Sequence, residues 1–206
     1  SSLSLSLSPR AMAMASLPTR TVLVTGANGY LASHIVQQLL AKGNDVRACV
    51  RNAGNSASVE HLLEIPSSPS TGTLSLFSTG DIGDTSLRGR YVRPLRGCDA
   101  VIHTATPLRP KFAVDFDGVR DLLTPGMEGT RELLDAILAC PSVRCLVLTS
   151  SMSAAAPPEE PTVKDESHWS DDAAQLARGN HYGCLKTRQE RHCHEWAQTE
   201  RGTLPA

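Results

Sequence analysis

The sequence predicts an α/β fold with a doubly wound parallel sheet, and three features carry that prediction. The stretch Val22-Leu-Val-Thr-Gly-Ala-Asn-Gly-Tyr-Leu-Ala-Ser-His34 reads without a gap as a strand, a tight turn and the start of a helix. Short apolar runs of strand length then alternate with helical periodicities as far as Thr149. Strands separated by helices join in parallel, because each crossover carries the chain back across the sheet before the next strand begins.

Composition sets the class. The 206 residues are 40% hydrophobic and 20% charged, which suits a globular chain with one domain and at most part of a second. A formal net charge of −1 gives no basic footprint for nucleic acid or an anionic membrane surface. No apolar run reaches the length of a bilayer span. Cys49, Cys98, Cys140, Cys145, Cys184 and Cys193 show no paired spacing, which fits reduced thiols in a cytoplasmic protein. Residues 1–19 lack an initiator Met, are Ser-rich and precede the first acid, Asp45. They are expected to be a disordered tail, translated from upstream of a start at Met12 or Met14, or else a targeting segment. The folded domain is placed at residues 20–206.

Val22, Leu23 and Val24 form the first strand, apolar on both faces as a central parallel strand must be. Gly26 and Gly29 then let the backbone turn tightly and approach a ligand with no Cβ in the way, and small Ala32 lets the following helix pack onto its strand. This Gly-x-x-Gly-x-x-Ala turn of the Rossmann type presents helix N–H groups to a pyrophosphate. Leu31, Ile35, Val36, Leu39 and Leu40 continue a helix over residues 30–42, closed by Gly43. A second strand over 45–50 leads to Arg51, about 20 residues past the turn, where this fold meets the adenosine ribose. An acid there would favour NAD. Arg51, with Arg47 two strand steps earlier, suits a 2′-phosphate, so NADP(H) is favoured over NAD(H).

A short helix over 59–64, a Pro/Ser/Gly loop over 66–72 and a third strand over 73–77 follow, ending near Asp81-Ile82. Four arginines between residues 88 and 96 are expected on a solvated loop or helix face. The fourth strand, 100–103, runs into the small residues of His103-Thr-Ala-Thr-Pro107, which permit close approach of a ligand at the carboxyl ends of the strands. A helix over 118–138, bent or starting late because of Pro125 and Gly126, leads to a fifth strand over 144–149.

The fifth strand ends in Thr149-Ser-Ser-Met-Ser153, which puts hydroxyls at the sheet edge. Downstream, Tyr182 and Lys186 stand at i, i+4 near the head of a helix, so phenol and ammonium share one face. An ammonium beside a phenol stabilises the phenolate, which lets Tyr182 exchange a proton with a carbonyl or alcohol oxygen. Lys186 would also hydrogen-bond the nicotinamide ribose. Ser151, or failing it Ser150, would orient the substrate oxygen. His181, His192, His194, Cys184 and Cys193 fit no structural zinc spacing, and no metal is expected.

The glycine turn, Asp81-Ile82, His103-Thr-Ala-Thr-Pro107, Thr149-Ser-Ser151, Asp165-Glu-Ser-His-Trp-Ser-Asp171 and Tyr182-x-x-x-Lys186 stand in an order that resembles the extended short-chain dehydrogenase/reductases. Within them the match is to the dihydroflavonol reductase, cinnamoyl-CoA reductase and aldehyde/ketone reductase branch, from about Thr21 onward. The resemblance implies NADP(H)-dependent reduction of a small-molecule carbonyl, with Ser151, Tyr182 and Lys186 as the catalytic set. It makes Gly26, Gly29, Tyr30, Arg51, Asp81, Ile82, Thr104 and Ala105 cofactor contacts. The segment 166–171 is specific to the branch and shapes a loop.

Two departures qualify this. Relatives often carry a lysine a few residues past Arg51, whereas Asn52-Ala-Gly-Asn-Ser-Ala-Ser58 holds no base. Family members also continue for roughly another hundred residues, so most of the C-terminal substrate lobe is expected to be lacking. The fifth strand would then be left with an unpaired edge and an association hazard. A dinucleotide-binding module without catalysis, or a sugar-nucleotide epimerase or hydroxysteroid dehydrogenase relative, therefore stands as the alternative. Oligomeric state cannot be read from the sequence.

Overall fold

A computed structural model describes residues 18–65, 72–84, 86–107, 115–155 and 163–199. The expected tail lies outside the described residues up to 17, and the loop over 66–72 lies outside them up to 71.

Five parallel strands form one sheet in the order β3-β2-β1-β4-β5. They are β1 (Thr21–Thr25), β2 (Asp45–Val50), β3 (Leu74–Ser78), β4 (Ala100–His103) and β5 (Cys145–Leu148). The chain runs from β1 outward to β3, then returns to place β4 on the far side of β1. That reversal defines the doubly wound fold, and the crevice at the reversal point is where such sheets take ligands.

The period-two alternation of β1 divides the core. Val22 and Val24 face helix α1 (Tyr30–Ala41) and helix α2 (Ser56–Leu63), packing with Val36, Leu40, Val59 and Leu62. Leu23 faces the other side, with Val101, Leu133, Leu134, Ile137 and Trp196. The short helix α3 (Val92–Leu95), helix α4 (Thr124–Leu138) and helix α7 (His181–Thr199) supply most of that second layer. Two short helices, α5 (Met152–Ala155) and α6 (Asp172–Ala177), lie between β5 and α7. No helix among the described residues is long and apolar enough to cross a membrane.

Register aligns the strand ends. Thr25 pairs with Cys49 and His103, and His103 with Leu148, so the carboxyl ends of β2, β1, β4 and β5 are level and their loops converge on one edge. The expected helix over 118–138 is continuous but not uniform. Val119–Leu123 is a π-helical turn that runs into α4, with Pro125 in the first turn of α4. Pro125 has no N–H to continue the backbone ladder, and the wide π turn sits directly before it. The arginines between 88 and 96 depart from expectation. The Arg90 side chain is buried, its Nε 2.8 Å from the Glu132 carboxylate on α4, with side-chain exposures of 5% and 10%.

Candidate active site

The glycine turn is built by two backbone requirements. Gly26 has φ +60°, and a Cβ on it would lie 3.0 Å from the Cα of Ala105. Only glycine lets the turn lie this close to the loop after β4. The Gly29 amide donates to the Gly26 carbonyl at 2.9 Å, and Gly29 then begins α1 with no side-chain cap and no acid in the first turn. The first N–H groups of α1 are thus offered to an anion. A cavity of about 330 Å³ opens there, lined by Gly26, Gly29, Arg51, Ile82, Thr104 and Ala105 among others.

Arg51 forms an exposed pair with Asp81, which is not among the lining residues, with Nε 3.1 Å from the carboxylate and exposures of 66% and 50%. Water screens such a pair, so it holds Arg51 only weakly. Arg47 is placed differently: its guanidinium donates to the carbonyls of Pro94 at 2.8 Å and of Arg96, which ties β2 to the end of α3. Tyr30 is 86% exposed and edge-on to His34, outside the cavity lining.

Lys186 is 3% exposed on α7, yet its ammonium is well held. Nζ donates to Thr106 Oγ1 at 3.0 Å and to the Thr149 carbonyl at 2.9 Å, bridging the loops that follow β4 and β5. It also lies 5.9 Å from the centroid of the Tyr182 ring. Burial pushes the ammonium down from 10.5 to about 8. The two serines diverge. The Ser150 hydroxyl donates to the Glu190 carboxylate on α7, whereas Ser151 Oγ accepts the Ser153 amide at 3.2 Å and donates to no acceptor among the described residues. Ser151 therefore keeps its proton available at the sheet edge.

The segment over 165–171 is tied to the chain itself. Asp165 accepts from the hydroxyl and amide of Ser167 and from His168, and these bonds, the hydroxyl first, hold its carboxyl down to about 2. Ser170 bonds Ser153 and Ala154, while Trp169 is met by Arg191 at 5.3 Å and His194 at 5.9 Å. Its contacts shape a loop over α5 and α7.

Two residues were missed by sequence reasoning. Arg90 donates to the carbonyls of Thr79, Asp81, Asp84 and Leu87, gathering the loop that brings Ile82 to the cavity. Its spacing from Glu132 carried no local signal. His103 is 2% exposed, and burial, with the Lys186 charge second, lowers it from 6.5 to about 3. Its position at the end of a strand, before a loop of small residues, was the available clue.

The chain matches the model of the NAD dependent epimerase/dehydratase family over residues 22–204. It is 37% identical over 155 residues to a dihydroflavonol 4-reductase of Callistephus chinensis, covering 73% of this chain and 39% of that protein. It is 34% identical over 163 residues to a cinnamoyl-CoA reductase of Medicago truncatula, covering 77% and 47%. The chain thus spans less than half the length of these curated relatives. Its fold is similar to that of yeast methylglyoxal/isovaleraldehyde reductase Gre2 complexed with NADPH, with a TM-score of 0.72, 26% identity, and coverage of 89% of this chain and 54% of that one.

Proposed function

The chain belongs to the NAD dependent epimerase/dehydratase family, the extended short-chain dehydrogenase/reductases, and on that premise we propose that it binds NADP(H) and reduces the carbonyl of a small aldehyde, ketone or acyl-CoA-type molecule. The observation that supports this best is the buried Lys186 ammonium, held between Thr106 and Thr149 at the carboxyl edge of the sheet, 5.9 Å from the Tyr182 ring. Such a charge is costly to bury and is retained where it acts.

The residues fit a nicotinamide dinucleotide. At Gly26 a Cβ would crowd Ala105, and α1 begins with uncapped donors and no acid. Gly26, Gly29 and the first turn of α1 would hold the pyrophosphate, and Arg51 the ribose phosphate. Ile82, Thr104 and Ala105 would flank the rings, with Asp81 and Tyr30 at the rim. The bound cofactor supplies the hydride. Tyr182 gives its hydroxyl proton to the carbonyl oxygen as that oxygen gains negative charge. Lys186 stabilises the phenolate left behind, and the Ser151 hydroxyl orients the oxygen by donating to it. The dihydroflavonol, cinnamoyl-CoA and methylglyoxal/isovaleraldehyde reductases among the similar proteins support a carbonyl as substrate.

Titration of the 206-residue chain by tryptophan fluorescence tests the cofactor reading. NADPH is expected to bind more tightly than NADH. Arg51→Ala is expected to weaken NADPH by roughly tenfold or more, the worth of one charge-assisted contact, and to leave NADH unchanged. Binding of neither cofactor would refute the reading. Carbonyl-dependent oxidation of NADPH separates a reductase from a binding module without catalysis.

A further inference from the structure

A buried polar chain crosses the core beneath the site, and its proton directions can be assigned throughout. Thr25 Oγ1, at the end of β1, accepts the amides of Thr104 and Ala105, each at 3.2 Å. With both lone pairs engaged, its own proton goes to His103 Nδ1 at 2.7 Å. His103 is then the neutral tautomer with its proton on Nε2, which points at Thr130 Oγ1, 3.4 Å away on α4. Thr130 passes its proton to the Gly126 carbonyl at 2.9 Å and accepts from Gln189 Nε2 at 2.7 Å. Gln189 lies three residues beyond Lys186 on α7 and also donates to the Gly126 carbonyl at 3.2 Å. Thr25, His103, Thr130 and Gln189 are each no more than 2% exposed.

The two ends of this chain are the two supports of Lys186. One end orients the loop whose next residue, Thr106, receives the ammonium; the other pins the helix that carries it. We propose that His103, Thr130 and Gln189 are positioning residues that set Lys186 relative to the loops after β4 and β5. Their role in a reaction rests on the reductase reading above, while the positioning itself does not. An apolar cluster would fill the same volume without directing hydrogen bonds. A protonated His103 is incompatible with the chain, because Thr25 has no lone pair left to accept a second ring proton.

The test follows Lys186 directly. Lysine labelled with 13C at Cε gives one resonance each for Lys42, Lys111, Lys164 and Lys186, and that of buried Lys186 is expected to titrate near 8. The titratable groups facing it are His103 from β4 and Tyr182 on its own helix. Thr130→Val keeps the side-chain shape and removes the hydroxyl that joins His103 to Gln189. It is expected to move the Lys186 midpoint from about 8 towards 10.5 as the ammonium leaves its seat. Thr130→Ser is expected to restore the wild-type midpoint. In turnover, Thr130→Val should lower kcat by roughly tenfold. A Lys186 midpoint unchanged in a folded Thr130→Val chain overturns the proposal. Should that variant not fold, Gln189→Met breaks the far end of the chain and is read in the same way. Absence of turnover by the wild-type chain with every carbonyl would sink the reductase reading, while the Lys186 titration still decides the positioning.

Discussion

A neutral histidine in the core makes stability depend on acid. Burial and the Lys186 charge hold His103 at about 3, against 6.5 in the unfolded chain. Below 6.5 the unfolded state therefore binds the proton and the folded state does not. The stabilisation is complete above the unfolded value and is lost as pH falls through 6.5 towards 3, with a ceiling on the order of 4 kcal/mol. Asp45, Asp84, Asp117, Asp165 and Asp172 are also lowered, but from 3.8, so their losses begin further down. Urea unfolding between pH 6.5 and 4.5 isolates His103: the wild-type chain should lose about 2 kcal/mol there. His103→Asn, less stable at pH 7, should lose far less over the same interval. Parallel slopes for the two chains would show that His103 does not carry the acid limb. Lys186 contributes with the same sign at a higher window. The folded chain releases its proton near 8 and the unfolded chain near 10.5, so stability rises with pH between those values.

Among the elements, the loop after β3 depends most on one side chain. Arg90 supplies hydrogen bonds to four carbonyls of residues 79–87 and pairs with Glu132 on α4. Replacing it by Met strands the Glu132 carboxylate in the core, at a cost of about 3 kcal/mol or more in urea unfolding. The double variant Arg90→Met/Glu132→Leu removes both charges and should recover most of that stability. Its NADPH affinity should stay weakened, because the loop that carries Ile82 has lost its common donor. Recovery of both together would mean that Arg90 supports only the fold. The contrast with the strands shows what was legible in the sequence. Periodicity over a few residues located β1 to β5 and α1, since Val22, Leu23 and Val24 declare burial on both faces by themselves. The glycine turn and the Tyr182–Lys186 pair were legible for the same reason, their spacing being local. Arg90 was not, because its acid lies 42 residues away on another element, and a run of arginines reads as a solvated face. His103 was visible as a residue but not as a neutral joint. Its protonation is set by Thr25 and Thr130, which reach it from β1 and α4. The sequence already favoured Ser151 over Ser150, but the contact that distinguishes them, Glu190 on α7 engaging Ser150, is 40 residues away and carried no local signal.

Taken as a whole, the molecule is covered unevenly. Helices α1 and α2 close one face of the sheet over β1, β2 and β3, and α4 and α7 close the other. On β5, Leu146 turns towards the covered side and packs with the cluster that contains Trp196, while Val147 turns away and is 49% exposed, next to exposed Cys145. Among the described residues β5 pairs only with β4, so its other side is a sheet edge. An edge with apolar residues on its open face offers unpaired N–H and C=O groups together with surface to bury, the combination that recruits another strand. Burying the rest of Val147 on each of two chains is worth roughly 1–3 kcal/mol in all, enough to shift association by tenfold or more. Sedimentation velocity on the 206-residue chain should therefore show mass increasing with concentration. Val147→Lys should move the distribution towards monomer, because a lysine on an edge strand must be desolvated before a second strand can pair there. The substitution lies on the open face, away from the Trp196 cluster, so the melting temperature should hardly change. Equal association by both chains would place the self-contact elsewhere, and the groove between α4 and α7, lined by Leu138 and Trp196 with Arg131, Asp135, His192 and Glu195, is the next surface to test.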